Sequence, residues 1–343
     1  MDIERKKLIV VLGMHRSGTS AMAGSLSFLG MDFDSNLVEA VPNDNPKGYW
    51  EPVEVVKIND DIFTAFNMHY MDFDSFPDGW VNHEAMNPIR HRINDWLKQS
   101  FLGESLIVVK DPRLCRTLPV WIELLEQQQV NVKYIHVFRH PMEVVGSLRT
   151  RDGTFSVVKG LLAWLAHVLD SFALYSPMHS AIVSYKELMN DPILALETVE
   201  GNLNLEWPVD PKTVAGNLKS FLEPSLVHQH FKGDIPYPPM NRLVQSVFDC
   251  LENYDLKSPD KDFYSCIEKY QIQFQEFRGL FEGALKSYSC KLQAEKANAA
   301  EQIAYRDALV DSLKGLLETK DEQLGSKKEL LKLFFRPLKK GES

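Results

Sequence analysis

The stretch "GMHRSGTS", Gly13 to Ser20, follows the apolar run "LIVVL" and constrains this chain more than any other feature. A short apolar strand, a glycine, four residues, a second glycine and then a helical pattern is the layout of a phosphate loop. It gathers free backbone N–H groups at the positive end of a helix dipole. Gly18 lets the backbone approach an anion closely, Ser17, Thr19 and Ser20 add hydroxyl donors, and Arg16 adds a permanent planar charge. Thr19 stands where the loop of an NTPase places its lysine, so the spacing fits an anion site but not a standard nucleotide triphosphate site.

The rest of the N-terminal half supplies a sheet for that loop. Near-continuous apolar runs recur at 8–13, 105–111, 132–140 and 180–185, as strands buried on both faces require. Helical patterns at 116–129, 141–151 and 155–175 lie between the later ones. This alternation predicts an α/β fold with a parallel sheet, whose ligands gather at the carboxyl ends of the strands. The stretch from Phe33 to about Asp95 reads as a long irregular insertion rich in Asp, Asn, Pro and aromatics, with a helix starting near Pro52. The proline cluster "DIPYPPM" predicts a boundary, giving an α/β domain at 1–235, a linker with a short helix at 236–260 and a helical extension at 261–343. That extension carries Ile303, Val310, Leu317, Leu324, Leu331 and Leu338 at seven-residue spacing, but the partner positions alternate between apolar and charged residues, so its coiled-coil signal is half made.

Composition narrows the function classes. A net charge of −9 over 343 residues argues against a nucleic-acid partner and leaves only a local basic site for an anion. The four cysteines lack metal-ligand spacing and read as reduced, structural residues. The opening residues show neither a cleavable leader nor a spanning apolar segment, so a cytoplasmic protein is expected.

Two further motifs fall at strand ends. Arg139 closes the third strand and Ser147 lies on the next helix, which begins near Pro141; together they form a second grip for a phosphate. A kinase would need the missing loop lysine and a free acidic residue for magnesium, for which "VKDPR" offers Asp111.

In this order, "GMHRSGTSAMAG", "VVKDPR", "VFRHPMEVVGSL" and "VSYKEL" resemble the sulfotransferases that use 3′-phosphoadenosine-5′-phosphosulfate (PAPS). The resemblance runs from about Leu8 to Phe231 and is strongest to bacterial members with an N-P-K-G-Y-[WF]-E segment, here Asn45 to Glu51. It implies the sulfotransferase fold, with Arg16, Ser17, Gly18, Thr19 and Ser20 as the 5′-phosphosulfate loop, Arg139 and Ser147 on the 3′-phosphate, and Tyr185 near the nucleotide. Lys186 replaces the family's usual acid beside that tyrosine, with Glu187 next to it. Lys110 matches a lysine that stabilises the transferring group in tyrosylprotein sulfotransferases. Arg16 in place of a loop lysine is similar to the tyrosylprotein and carbohydrate enzymes, which favours a glycan or macromolecular acceptor. A phosphosulfate carries less charge on its transferable group than a γ-phosphate, so the resemblance implies neither a loop lysine nor a metal.

An attacking alcohol must lose its proton, and Glu51, at the end of "NPKGYWE", is the candidate base, with Asp44, Glu54 and His15 as alternatives. A helix cap is the other role open to Glu51 and a turn position the other role for His15, while Lys47 either contacts the sulfonate or acceptor or, as exposed loop lysines usually do, only solvates. Tyr70, Phe73, Phe76 and Trp80 either pack a core or stack on sugar rings, core packing being the commoner role.

The tail, 326–343, holds six Lys or Arg and two Glu around "LLKLFFRPLKK". It reads either as an interfacial segment in peripheral contact with a membrane or as a helix docked on the chain or on a second copy in a homo-oligomer. The expected function is transfer of a sulfuryl group from PAPS to a hydroxyl of a carbohydrate or surface glycan precursor. Two rivals stay open: a kinase on a degenerate phosphate loop, and a catalytically silent module that recruits partners through its helices.

Overall fold

The computed structural model describes residues 6–42, 44–102, 106–172, 179–223, 231, 235, 241–254, 263–281, 295–309 and 311–312. Five strands form one parallel sheet: β1 (Lys7–Leu12), β2 (Asp32–Phe33), β3 (Leu106–Lys110), β4 (Asn131–Phe138) and β5 (Ser180–Ser184), in the order β2-β3-β1-β4-β5. The α/β fold class expected from the sequence is the one observed. Register sets the working edge of the sheet: Val11 pairs with Lys110, Leu12 with His136 and Phe138 with Ser184. The chain therefore leaves the sheet at Gly13, Asp111, Arg139 and Tyr185 along one edge.

Helices cover both faces. α1 (Thr19–Phe28) follows the phosphate loop; α2 (Val53–Ala65) and α3 (Asn87–Ser100) precede β3; α4 (Leu114–Gln127) joins β3 to β4. α5 (Pro141–Arg151) and α6 (Val157–Ser171) lead to β5, and α7 (Tyr185–Asn190), α8 (Pro192–Leu203), α9 (Ala215–Phe221) and α10 (Asn241–Glu252) follow it. Alternate residues of β1 serve opposite layers, as a strand's two-residue period demands. Leu8, Val10 and Leu12 pack with α2, α3 and α4, while Ile9 and Val11 pack with Met22, Leu26, Leu196 and Leu218.

Two expectations are refined. The stretch 33–95 is irregular over much of its length but carries the 13 residues of α2 and the N-terminal part of α3. Their apolar stripes, Val55, Ile58, Ile62 and Phe63 on one and Ile89, Ile93, Trp96 and Leu97 on the other, are fully helical in period but set among so many polar residues that composition hides them. The compact unit also extends beyond the expected boundary, with units at Met1–Arg278 and Gly279–Ser343. α10 buries Val244, Val247 and Phe248, and a helix over 263–281 buries Phe263, Ile267 and Phe274, in the same apolar cluster as α6. Arg278 locks that helix with a two-pronged ion pair to Asp170, at 2.9 and 3.0 Å.

In the second unit, 295–309 is helical and exposed, including Ile303 and Leu309. Val310, Leu317, Leu324, Leu331, Leu338 and the basic tail lie outside the described residues. Among the described residues, no helix is long and apolar enough to cross a membrane.

Candidate active site

The phosphate loop is shaped by its two glycines. Gly13 has φ 147°, and a β-carbon there would lie 2.3 Å from the Val137 carbonyl oxygen. Its N–H donates to the Cys115 sulfur at 3.1 Å, a thiol that burial pushes up to about 12. Gly18, at φ 96°, is the N-cap of α1 and brings no capping side chain, and a β-carbon there would sit 2.3 Å from the Tyr185 ring. The loop therefore passes under Tyr185 at backbone thickness, and the α1 amides are left without a side-chain cap. A helix end left open in this way suits an anion.

A cleft of about 430 Å³ opens over the loop. Arg16, Gly18, Thr19, Ser20, Glu51, Lys110, Arg139, Ser147 and Tyr185 all line it, so nine of the ten residues expected from the sequence come together. Ser17 does not line it: the residue is 1% exposed and its N–H is held by the Met14 carbonyl at 3.1 Å.

Two arginines line this space. Arg16, at φ 70°, donates from Nε to Ser147 Oγ and from Nη1 to Asp44 Oδ1, both at 2.9 Å. Arg139 donates from Nε to Glu143 Oε2 at 2.8 Å, and its guanidinium lies 4.7 Å from the Tyr185 ring centre. Its carbonyl is fixed by the indole N–H of Trp164, so the strand end cannot swing freely.

At the β3 end, Lys110 is 2% exposed and its three N–H donors have three acceptors: Ser20 Oγ at 3.2 Å, the Tyr49 carbonyl at 3.1 Å and Glu51 Oε1 at 2.5 Å. Glu51 is not a helix cap, because Pro52 holds that position on α2. Burial raises its carboxyl above the ordinary value, opposed by the charge of Lys110. Its second oxygen stands 3.8 Å from Arg113 Nη1, too far for a hydrogen bond, and so keeps its acceptor capacity. Arg113 is held in turn by Asp111 and Asp60 at 3.0 and 2.6 Å and lies over the Tyr70 ring. Asp111 is fully buried, with one oxygen bonded to Arg113 and the other to Asn59 at 2.8 Å.

The remaining sequence candidates sort clearly. Glu54, on α2, pairs with Arg92 of α3. His15 borders the cleft but burial, reinforced by Arg113, holds its imidazole well below the ordinary value. Lys47 does not merely solvate: Nζ donates to the carbonyls of Ser220 and Phe221 at 2.9 and 2.7 Å and to Glu223 at 2.8 Å, pinning the 44–51 strap to the end of α9. Phe76 and Trp80 stack at 4.3 Å against the α2–α4 cluster, and Tyr70 and Phe73 pack on the α6 cluster, so all four aromatics are packing residues. Sequence reasoning missed the pairing of Arg16 with Asp44 and the Arg113 network, since both join residues far apart in the chain.

No protein-family model matches the chain, and no curated protein matches it. Among solved structures it is similar to a sulfotransferase domain from the curacin biosynthetic pathway, with 15% identity, a TM-score of 0.41, and 71% of this chain and 98% of that one covered. It is similar to a sulfotransferase domain from the Synechococcus PCC 7002 olefin synthase, with 16% identity, a TM-score of 0.39, and coverage of 79% and 96%. It is also similar to mouse sulfotransferase SULT7A1 complexed with PAP, with 14% identity, a TM-score of 0.38, and coverage of 78% and 89%.

Proposed function

We propose that this chain transfers a sulfuryl group from PAPS to a hydroxyl acceptor. What supports the proposal is that Arg16, the α1 end, Arg139, Ser147 and the Lys110–Glu51 pair all line one cleft, with Ser147 already within reach of the Arg16 guanidinium. A nucleotide with phosphates at both its 3′ and 5′ positions fits that arrangement. The cradle that a β-carbon at Gly18 would fill is the local feature that suits its 5′ end.

PAPS, when bound, supplies an activated sulfuryl group and a phosphate leaving group. The chain's own residues do the rest. Glu51 accepts the acceptor's hydroxyl proton on Oε2, the oxygen not bonded to Lys110. Lys110 exchanges its Ser20 or Tyr49 partner for the departing phosphate oxygen, and Arg16 adds a second positive charge there. Tyr185 and Arg139 fix the nucleotide end. The acceptor we favour is a carbohydrate or glycan hydroxyl, on the presence of Arg16 where many small-molecule enzymes of this kind carry lysine.

The kinase alternative fits less well. Asp111, its candidate magnesium ligand, has both oxygens engaged by Arg113 and Asn59 in a fully buried position. Sulfur-labelled PAPS offered with a panel of soluble glycans tests the proposal. Label transferred to a glycan with release of 3′,5′-bisphosphoadenosine (PAP) is expected; magnesium-dependent ATP turnover with no use of PAPS would reverse it.

A further inference from the structure

The three cations proposed to meet the nucleotide each face a carboxylate of this chain. Lys110 pairs with Glu51 at 2.5 Å, with side chains 2% and 9% exposed. Arg139 pairs with Glu143 at 2.8 Å within one helical turn, and Glu143 also accepts the Phe231 N–H at 3.2 Å. Both are built-in pairs, one sealed from water and the other joining the end of β4 to the first turn of α5. Arg16 and Asp44, at 2.9 Å with side chains 27% and 17% exposed, are different.

Asp44 belongs to the strap, and the strap has another anchor. Lys47 holds it to α9 through two carbonyls and Glu223, so its attachment does not depend on Asp44. Around Asp44 stand three donors from three places: Arg16 Nη1 at 2.9 Å, the Tyr49 hydroxyl at 2.6 Å and Arg151 Nη1 at 3.6 Å. Two arginines and a phenol would serve a phosphate or sulfate oxygen equally well. A carboxylate of the chain sits there instead, on the border of the cleft.

We infer that Asp44 is a displaceable counter-ion that sets how tightly an anion must bind to enter the cleft, an inference that rests on the PAPS proposal. A phosphate arriving at Arg16 meets the Asp44 carboxylate at close range in a half-buried site, where like charges repel strongly. The strap must shift about its Lys47 anchor and release Arg16. A small anion that touches only the Arg16 end gains too little to displace Asp44. A bisphosphate, held at Arg139 and Ser147 as well, gains enough.

Calorimetry with PAP, inorganic pyrophosphate and adenosine, on the natural protein, Asp44→Asn and Glu223→Gln, tests this. Asparagine keeps the shape of Asp44 without its charge, and the gain in PAP affinity should be about tenfold, the size of one charged hydrogen bond no longer broken. Pyrophosphate should gain by a similar factor and adenosine by none. Glu223→Gln removes a charge from the same cleft while Lys47 keeps its two carbonyl partners, and it should leave PAP affinity nearly unchanged. PAP affinity unchanged or weakened in Asp44→Asn overturns the inference, as does an equal gain in Glu223→Gln, which would reduce the effect to bulk charge. If PAP binds none of the three proteins, the PAPS proposal falls and this inference with it; if PAP binds the natural protein and Asp44→Asn equally, only the counter-ion role falls.

Discussion

Lys110 and Glu51 meet at 2.5 Å at the end of β3, almost wholly out of water, while the second Glu51 oxygen stands apart from Arg113 by 3.8 Å. Under the proposed function this one buried pair supplies both a proton acceptor and a charge for the leaving group, and each member holds the other in place. Removing either leaves a buried charge without its main partner, which is costly in itself.

Glu51→Gln keeps the shape of the side chain and removes the proton acceptor. Turnover should drop by about 10²- to 10⁴-fold, with PAP affinity little changed. Burial raises the Glu51 carboxyl, so the acidic limb of the rate profile should lie above 4.5, the ordinary value, because below the raised value the carboxyl is protonated and cannot accept. Lys110→Met should slow transfer as well, but it leaves the base in place and shifts the limb further up. A pH profile of each variant separates them; an unaltered limb in Glu51→Gln would assign the base elsewhere.

Gly18→Ala should damage both stability and ligand binding. The backbone there is at φ 96°, and the new β-carbon would lie 2.3 Å from the Tyr185 ring. The strained backbone alone costs about 1–3 kcal/mol. Thermal unfolding should show the loss, and PAP affinity should fall because Tyr185 must move off the loop. An unchanged melting temperature with full PAP affinity would contradict the tight passage of the loop.

Acid should weaken the fold through two histidines. Burial lowers His136 to about 3 and His167 to about 4. Both are neutral in the folded protein at values where the unfolded chain already binds a proton, so their contribution is present above 6.5 and is lost as pH falls toward those lowered values. His136 stacks on Phe172 at 4.3 Å, so His136→Phe should keep the packing and flatten the acid loss between pH 6 and about 4. Urea unfolding at a series of pH values measures it; an equally steep loss in the variant would rule out His136 as a source.

The residues that were legible in the sequence share a physical reason. A parallel sheet places every strand's carboxyl end on one edge, so Gly13, Lys110, Arg139 and Tyr185 could be grouped before their contacts were seen, each at the end of an apolar run. Glu51 was legible as a candidate through chemistry, but its pairing with Lys110 was not, because 59 residues separate them. Asp44 opposite Arg16 and Lys47 on the α9 carbonyls depend on how the strap folds back across the sheet edge, which no local pattern encodes. α3 escaped notice because its four buried residues are scattered through a polar, charged segment. The burial of Ser17 was not legible, because glycine spacing identifies a loop without saying which of its hydroxyls line the cleft.

The measurement that bears most directly on the proposed activity is the difference in affinity between PAP and 5′-AMP, which differ by the 3′-phosphate. With Arg139 and Ser147 both bordering the cleft, PAP should bind far more tightly, and calorimetry reads the difference without needing an acceptor. Arg139→Ala should erase most of that difference, by about 1.5–3 kcal/mol for a lost charged hydrogen bond, while leaving AMP nearly unaffected. Equal affinity of the natural protein for PAP and AMP would contradict a PAPS site and, with it, sulfuryl transfer.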